Sequence, residues 1–246
     1  MGRKQGSEGT QSGLLIDSQT AFLAAAHELK APLGLIRQLA LTLAENDDLT
    51  PAEYERYLNQ ITLTSERALR LTSDLTRSSR QASLFPVEPI NPQQLCEEVA
   101  HELSPLYKAH DKTIRVIRYS RPPLLVANRD LLRRILLNFG DNALYYTGDE
   151  QAVELRVSTR GTIEKVRIGV RDYGPAVSAD TWRVLAERLK SLAPQPIQAR
   201  PQSSGLGLWA AGQFAQMMNS QIGASRHHDG ASFYIELPLS QQLSLL

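Results

Sequence analysis

The stretch Asn138-Phe139-Gly140-Asp141-Asn142-Ala143-Leu144-Tyr145-Tyr146-Thr147 decides how this chain is read. Asn138 and Asn142 are four residues apart, so on a helix both carboxamides project from one face. Leu136, Leu137 and Phe139 make that helix largely buried. A buried amide is costly without a partner. Two such amides on one face therefore point to a ligand more than to a solvated surface. An asparagine oxygen is also a neutral hard donor, suited to Mg²⁺.

Two glycine-containing stretches follow. Asp172-Tyr173-Gly174 comes directly after an alternating strand pattern, and Gly174 allows a sharp backbone turn. Gly205-Leu206-Gly207-Leu208 opens a helix, where small residues and the first backbone N–H groups suit phosphate. Far upstream lies Phe22-Leu23-Ala24-Ala25-Ala26-His27-Glu28-Leu29-Lys30-Ala31-Pro32-Leu33, an amphipathic helix with an ionisable pair at its centre. A neutral imidazole can attack phosphorus if a neighbouring group orients it and takes its other proton, and Glu28 is placed to do so for His27.

Together these four stretches, in this order and spacing, resemble the catalytic core of sensor histidine kinases. The region 22–33 is similar to the family's phosphoacceptor box and 138–147 to its asparagine box. The resemblance covers roughly residues 13 to 240. It implies ATP and Mg²⁺ as cofactors, His27 as phosphoacceptor and Glu28 as its general base. It implies Asn138 as the metal ligand, with Asn142 and Tyr146 lining the nucleotide site. Asp172 and Gly174 would hold adenine, and Gly205, Leu206 and Gly207 the phosphates. The implied partners are a second copy of the chain, forming a homodimer, and the receiver domain of a response regulator. A sensor or membrane module ahead of residue 1 is compatible with this reading, and the implied location is cytoplasmic.

The chain departs from the family pattern in places. Tyr145 stands where lysine or arginine is common, and Arg134 or Lys190 are the candidate substitutes for that charge. Ala176 and Ser203 stand at glycine positions. Ala31 replaces the polar residue that often follows four after the histidine, which predicts little phosphatase activity toward the partner. These departures keep two alternatives open: a non-catalytic dimeric scaffold of the same fold, or a related ATPase with another output.

Composition agrees with a globular chain of one or two domains: 246 residues, 42% hydrophobic and 22% charged. A net charge of +1 gives no global attraction for nucleic acid. The single cysteine, Cys96, cannot form an internal disulfide and reads as a buried helix residue. The remaining histidines lack metal-ligand spacing, and His227-His228-Asp229-Gly230 reads as a hairpin turn.

The periodicities predict a disordered segment 1–12 and a helical hairpin, 13–79, that associates into a four-helix bundle. A linker with an extended piece, 80–90, and an α/β sandwich, 91–240, follow. The sandwich is a mixed sheet with helices on one face, and 241–246 is a tail. In the hairpin, Pro32 should bend the first helix. Thr50 should cap the second, with Pro51 at its first position. Tyr54, Tyr57, Leu58, Ile61, Leu63, Ala68, Leu71 and Leu75 lie on or near its expected buried face. A hairpin folded back on the neighbouring domain is the alternative to the bundle. The stretch 193–204 is a candidate mobile lid over the nucleotide.

Overall fold

The computed structural model describes residues 29–30, 32–46, 48–77, 86–148, 151–159, 165–191 and 206–240. His27, Glu28, Ala31, Ser203, Gly205 and the candidate lid lie outside them, as does most of the helix expected ahead of Pro32. Helix α1 occupies 32–45 and helix α2 Pro51–Arg77. The cap between them forms as expected and is reciprocal. Glu53 N–H donates to Thr50 Oγ1 at 3.3 Å, and Thr50 N–H donates to Glu53 Oε2 at 2.9 Å.

The rest of the chain is a helix-and-sheet sandwich. Its elements are β1 (Glu88–Ile90), α3 (Pro92–Ala109), β2 (Ile114–Val116), β3 (Leu125–Ala127), α4 (Arg129–Tyr146), β4 (Val153–Thr159) and β5 (Lys165–Asp172). Then come α5 (Ala179–Ser191), α6 (Leu206–Met217), β6 (Ile222–His227) and β7 (Gly230–Pro238). The main sheet runs β2-β4-β5-β7-β6, with β2 parallel to β4 and all other pairs antiparallel. The extended piece of the expected linker is β1, which pairs with β3. The strand expected from Thr113 to Tyr119 pairs only over Ile114–Val116.

Both long sandwich helices start on asparagine caps. Asn91 Oδ1 accepts from Gln93 and Gln94 N–H, and Asn128 Oδ1 accepts from Leu131 N–H. Alternate residues of β5, Val166, Ile168 and Val170, are buried with Leu132, Ile135, Leu136 and Phe139 of α4 in one core. Cys96 lies in that core, and burial pushes its thiol up to about 12. Among the described residues no helix is long and apolar enough to cross a membrane.

Helix α2 lies against the sandwich along part of its length. Tyr54 and Leu58 are exposed, whereas Thr64, Ala68 and Asp74 are buried. The side of α2 toward the sandwich combines apolar residues, Ala68 and Leu63, with the charged Arg67, Arg70 and Asp74.

Candidate nucleotide-binding site

Helix α4 carries the central residues. Its C-terminal end is held by Lys112, whose Nζ donates to Leu144 O at 2.9 Å and Thr147 O at 2.7 Å, a cation on the negative end of the helix dipole. One turn earlier, Tyr107 OH donates to Gly140 O at 2.8 Å. So anchored, α4 places Asn138 with only 5% of its surface exposed.

Asn138 is held at its amide nitrogen. Its Nδ2 donates to Asp74 Oδ2 of α2 at 3.1 Å. Its Oδ1 is turned toward the start of α6, where a Cβ on Gly207 would stand only 3.5 Å away. Glycine there leaves the helix N-terminus close to the amide oxygen. Asn142 has a buried Nδ2 with no hydrogen-bond partner among the described residues. A buried donor left unpaired is expensive, and an anionic oxygen is the partner it suits. The donor chemistry therefore fits a polyphosphate, with one neutral oxygen from Asn138 for a hard cation that keeps phosphate and water as its other ligands.

Asp172 ends β5, and it is buried with Arg171. Its Oδ1 accepts from Gly174 N–H and from Ala231 N–H, both at 3.2 Å. Among the described glycines, positive φ occurs only at Gly230, so the turn at Gly174 needs no left-handed backbone. Tyr173 fixes the loop from the other side. Its N–H donates to Thr147 Oγ1 at 3.3 Å and its hydroxyl to Glu154 Oε2 at 2.9 Å. Burial opposes the charge on Glu154, but hydrogen bonds from Arg115, Arg156 and Tyr173 outweigh it and hold this carboxyl below its ordinary value.

The structure sets Asn138 of α4 against Gly207 at the start of α6, and it ties the loop after β5 to the end of α4 through Tyr173 N–H to Thr147 Oγ1 and Gly148 N–H to Tyr173 O; Asn142 and Tyr146 lie on that same helix. It also shows what stands at the atypical Tyr145. Arg67 of α2 hydrogen-bonds the Tyr145 hydroxyl, and its guanidinium lies 4.5 Å from the ring centroid. Arg134, a candidate substitute for the missing cation, is instead ion-paired with Asp74 and Asp130. Asp141 completes the seam, with its Oδ2 2.7 Å from Arg70 Nη2 and 3.7 Å from Arg67 Nε. Burial lifts the Asp74 carboxyl above its ordinary value despite Arg134, Asn138 and Arg70. Among the described residues no cluster of histidine, cysteine and carboxylates could hold a metal.

Sequence reasoning missed Arg67, Arg70 and Asp74 because charged residues on an amphipathic helix ordinarily face water. It also missed Arg171, although a cation beside a strand-end aspartate was a visible signal.

Residues 127–241 match the family described as Histidine kinase-, DNA gyrase B-, and HSP90-like ATPase. The chain is 28% identical to sensor protein kinase PmrB of Pseudomonas aeruginosa over 222 residues, 88% of this chain and 45% of the relative. It is 29% identical over 220 residues to the adaptive-response sensory kinase SasA of Parasynechococcus marenigrum, covering 88% of this chain and 55% of the relative. The chain spans about half the length of these curated relatives. Among solved structures, full-length ShkA in complex with AMPPNP aligns with a TM-score of 0.56 and 27% identity, over 92% of this chain and 47% of that one. Histidine kinase ThkA in complex with response regulator TrrA aligns with a TM-score of 0.62 over 95% of this chain and 64% of that one. At 19% identity this is a likeness of fold.

Proposed function

We propose that this chain, the catalytic core of a sensor histidine kinase, transfers the γ-phosphoryl group of ATP to its own His27 and then to a response-regulator aspartate. The observation that carries the proposal is Asn142 Nδ2, buried with no hydrogen-bond partner among the described residues, on the helix whose Asn138 faces Gly207 of α6 and whose end is tied to the loop after Asp172. Asp172 accepts from the adenine amino group, and Gly174 shapes the loop beneath it. Asn142, Tyr146 and the N–H groups of 205–207 bind the phosphates. Asn138 Oδ1 holds Mg²⁺, which when bound neutralises phosphate charge. Glu28 orients His27 and takes its ring proton as phosphorus is attacked. Catalysis rests on positioning and charge neutralisation, as for phosphoryl transfer in general.

The large apolar side chains left exposed on α1 and α2, Leu33, Leu35, Leu41, Tyr54, Leu58 and Leu69, suit a second copy of the chain. Two hairpins then close a four-helix bundle.

Incubation of the full chain with γ-labelled ATP and Mg²⁺, followed by acid and base treatment, tests the central claim. Base-stable, acid-labile label is expected, and it disappears in His27→Gln. Absence of label on folded protein would leave the scaffold alternative. Phosphate release that His27→Gln leaves at full rate would leave the ATPase with another output.

A further inference from the structure

We propose that Arg171 and Asp229, on the β6–β7 turn, are positioning residues that set the adenine specificity of the site by clamping Asp172. The inference rests on the reading of Asp172 as the adenine acceptor.

The geometry starts from the sheet register. Asp172, the last residue of β5, pairs with Ala231, and Arg171 pairs with Ser232. The turn that precedes β7 therefore lies directly over the end of β5. Its Ala231 N–H bonds Asp172 Oδ1, so one carboxylate oxygen is tied to the turn itself. Gly174 N–H bonds the same oxygen. The plane of this carboxylate is thereby fixed between its own loop and a segment 59 residues away in sequence.

Arg171 holds the turn in place. Its Nη1 donates to the backbone carbonyl of Asp172 and, at 3.4 Å, to that of Ala231. Its Nη2 is paired with Asp229. The guanidinium also lies 4.3 Å from the centroid of the Tyr173 ring. One planar fork thus joins the strand end, the turn and the adenine-side loop, which a lysine's single ammonium could not do.

The fit is close enough to dictate residue type. Gly230 has φ of +134°, and a Cβ there would fall 2.3 Å from Asp172 O and 2.8 Å from both Arg171 Nη1 and Asp172 Oδ1. Any side chain at this position would push the turn off the carboxylate.

A carboxylate that recognises an amino group gains specificity only while its acceptor direction is held. Loosening it weakens the bond to adenine and leaves the phosphate contacts alone. The readout is therefore the preference for ADP over IDP, whose base carries a carbonyl oxygen in place of the amino group. Calorimetric titration of the full chain with each nucleotide and Mg²⁺ measures it. Wild type should prefer ADP by about tenfold or more, since a site built for an N–H donor rejects the analogue lacking it.

Asp229→Ala alters the clamp from its partly exposed side. It should weaken ADP at least threefold while IDP binding stays within twofold. Arg171→Met, at a buried position, should narrow the preference further. ADP and IDP falling together, or an unchanged preference in Asp229→Ala, would overturn the clamp. Asp172→Asn separates the two claims. If wild type discriminates and Asp172→Asn still does, the assignment of Asp172 fails before the clamp is reached.

Discussion

Helix α4 meets its two neighbours by opposite means. Toward the sheet and α6 it presents Leu132, Ile135, Leu136 and Phe139, all fully buried in the common core. Toward α2 it presents Arg134, Asn138, Asp141 and Tyr145, which meet Asp74, Arg70 and Arg67. The first contact is non-directional and rests on apolar area removed from water. The second is a ladder of charges and amides whose desolvation offsets much of its Coulomb attraction. A contact of the second kind predicts that α2 leaves α4 more readily than the sheet does. Asn138 lies between the two, held by Asp74 of α2 on one side and facing Gly207 of α6, in the proposed nucleotide site, on the other.

The largest effect should come from the apolar side. Phe139→Ala is expected to cost about 3–5 kcal/mol, measured by denaturant unfolding of the full chain. A loss under about 1 kcal/mol, far below that range, would mean the core side of α4 is not what holds the sandwich. Asp141→Ala should cost less, about 1–3 kcal/mol, because it leaves the partly buried Arg70 with Glu102 at 3.7 Å as its remaining carboxylate contact in the seam. Asp141, Glu102 and Asp74 raise the Arg70 pKa above its ordinary value against the opposing effect of burial. Both Arg70 and Arg67 would be left facing less negative charge.

Salt sharpens the comparison without a mutation. Raising NaCl should speed amide exchange over the docked part of α2, Gln60–Asp74, and leave Leu131–Phe139 of α4 unchanged, because the partly exposed charges of the seam, Arg67, Arg70 and Glu102, are open to screening. Equal insensitivity of both helices would break the idea that α2 separates.

The smallest effects concern pH, and two carboxylates differ in sign. Glu154 has a lowered folded pKa, so its contribution is present above the ordinary carboxylate range and is lost as pH falls through the lowered value. Asp74 has a raised folded pKa, so stability falls as pH rises through it. In thermal unfolding from about pH 3 to 7, a span that covers the ordinary carboxylate values, Glu154→Gln should flatten the acid limb. Asp74→Asn, which keeps an acceptor for Arg134, should match or exceed wild type at neutral pH. A destabilised Asp74→Asn would mean the seam gains from the charge after all.

Much of this was legible in sequence because it is local. The Thr50 and Asn91 caps, the hairpin turn at His228-Asp229 and the strands on either side of residue 160 follow from residues a few positions apart. The placement of Asn138 and Asn142 on one buried helix follows from spacing alone. Of the positions expected on the buried face of α2, Ala68 and Leu63 meet the sandwich and Tyr54 and Leu58 do not, because an apolar pattern cannot name its partner. Nor could the fate of Arg134 be read, because its counter-charge Asp74 comes from another element.

Local sequence was enough for the helices, their caps, the alternating strands and the polar groups proposed for the site, since periods of two and 3.6 residues and short-range hydrogen bonds set them. Only the tertiary structure decided which charges meet. Asp74 finds Asn138 across 64 residues, and Arg171 finds Asp229 across 58. Such pairings depend on the packing of the helices and the register of the sheet, and no local pattern encodes either.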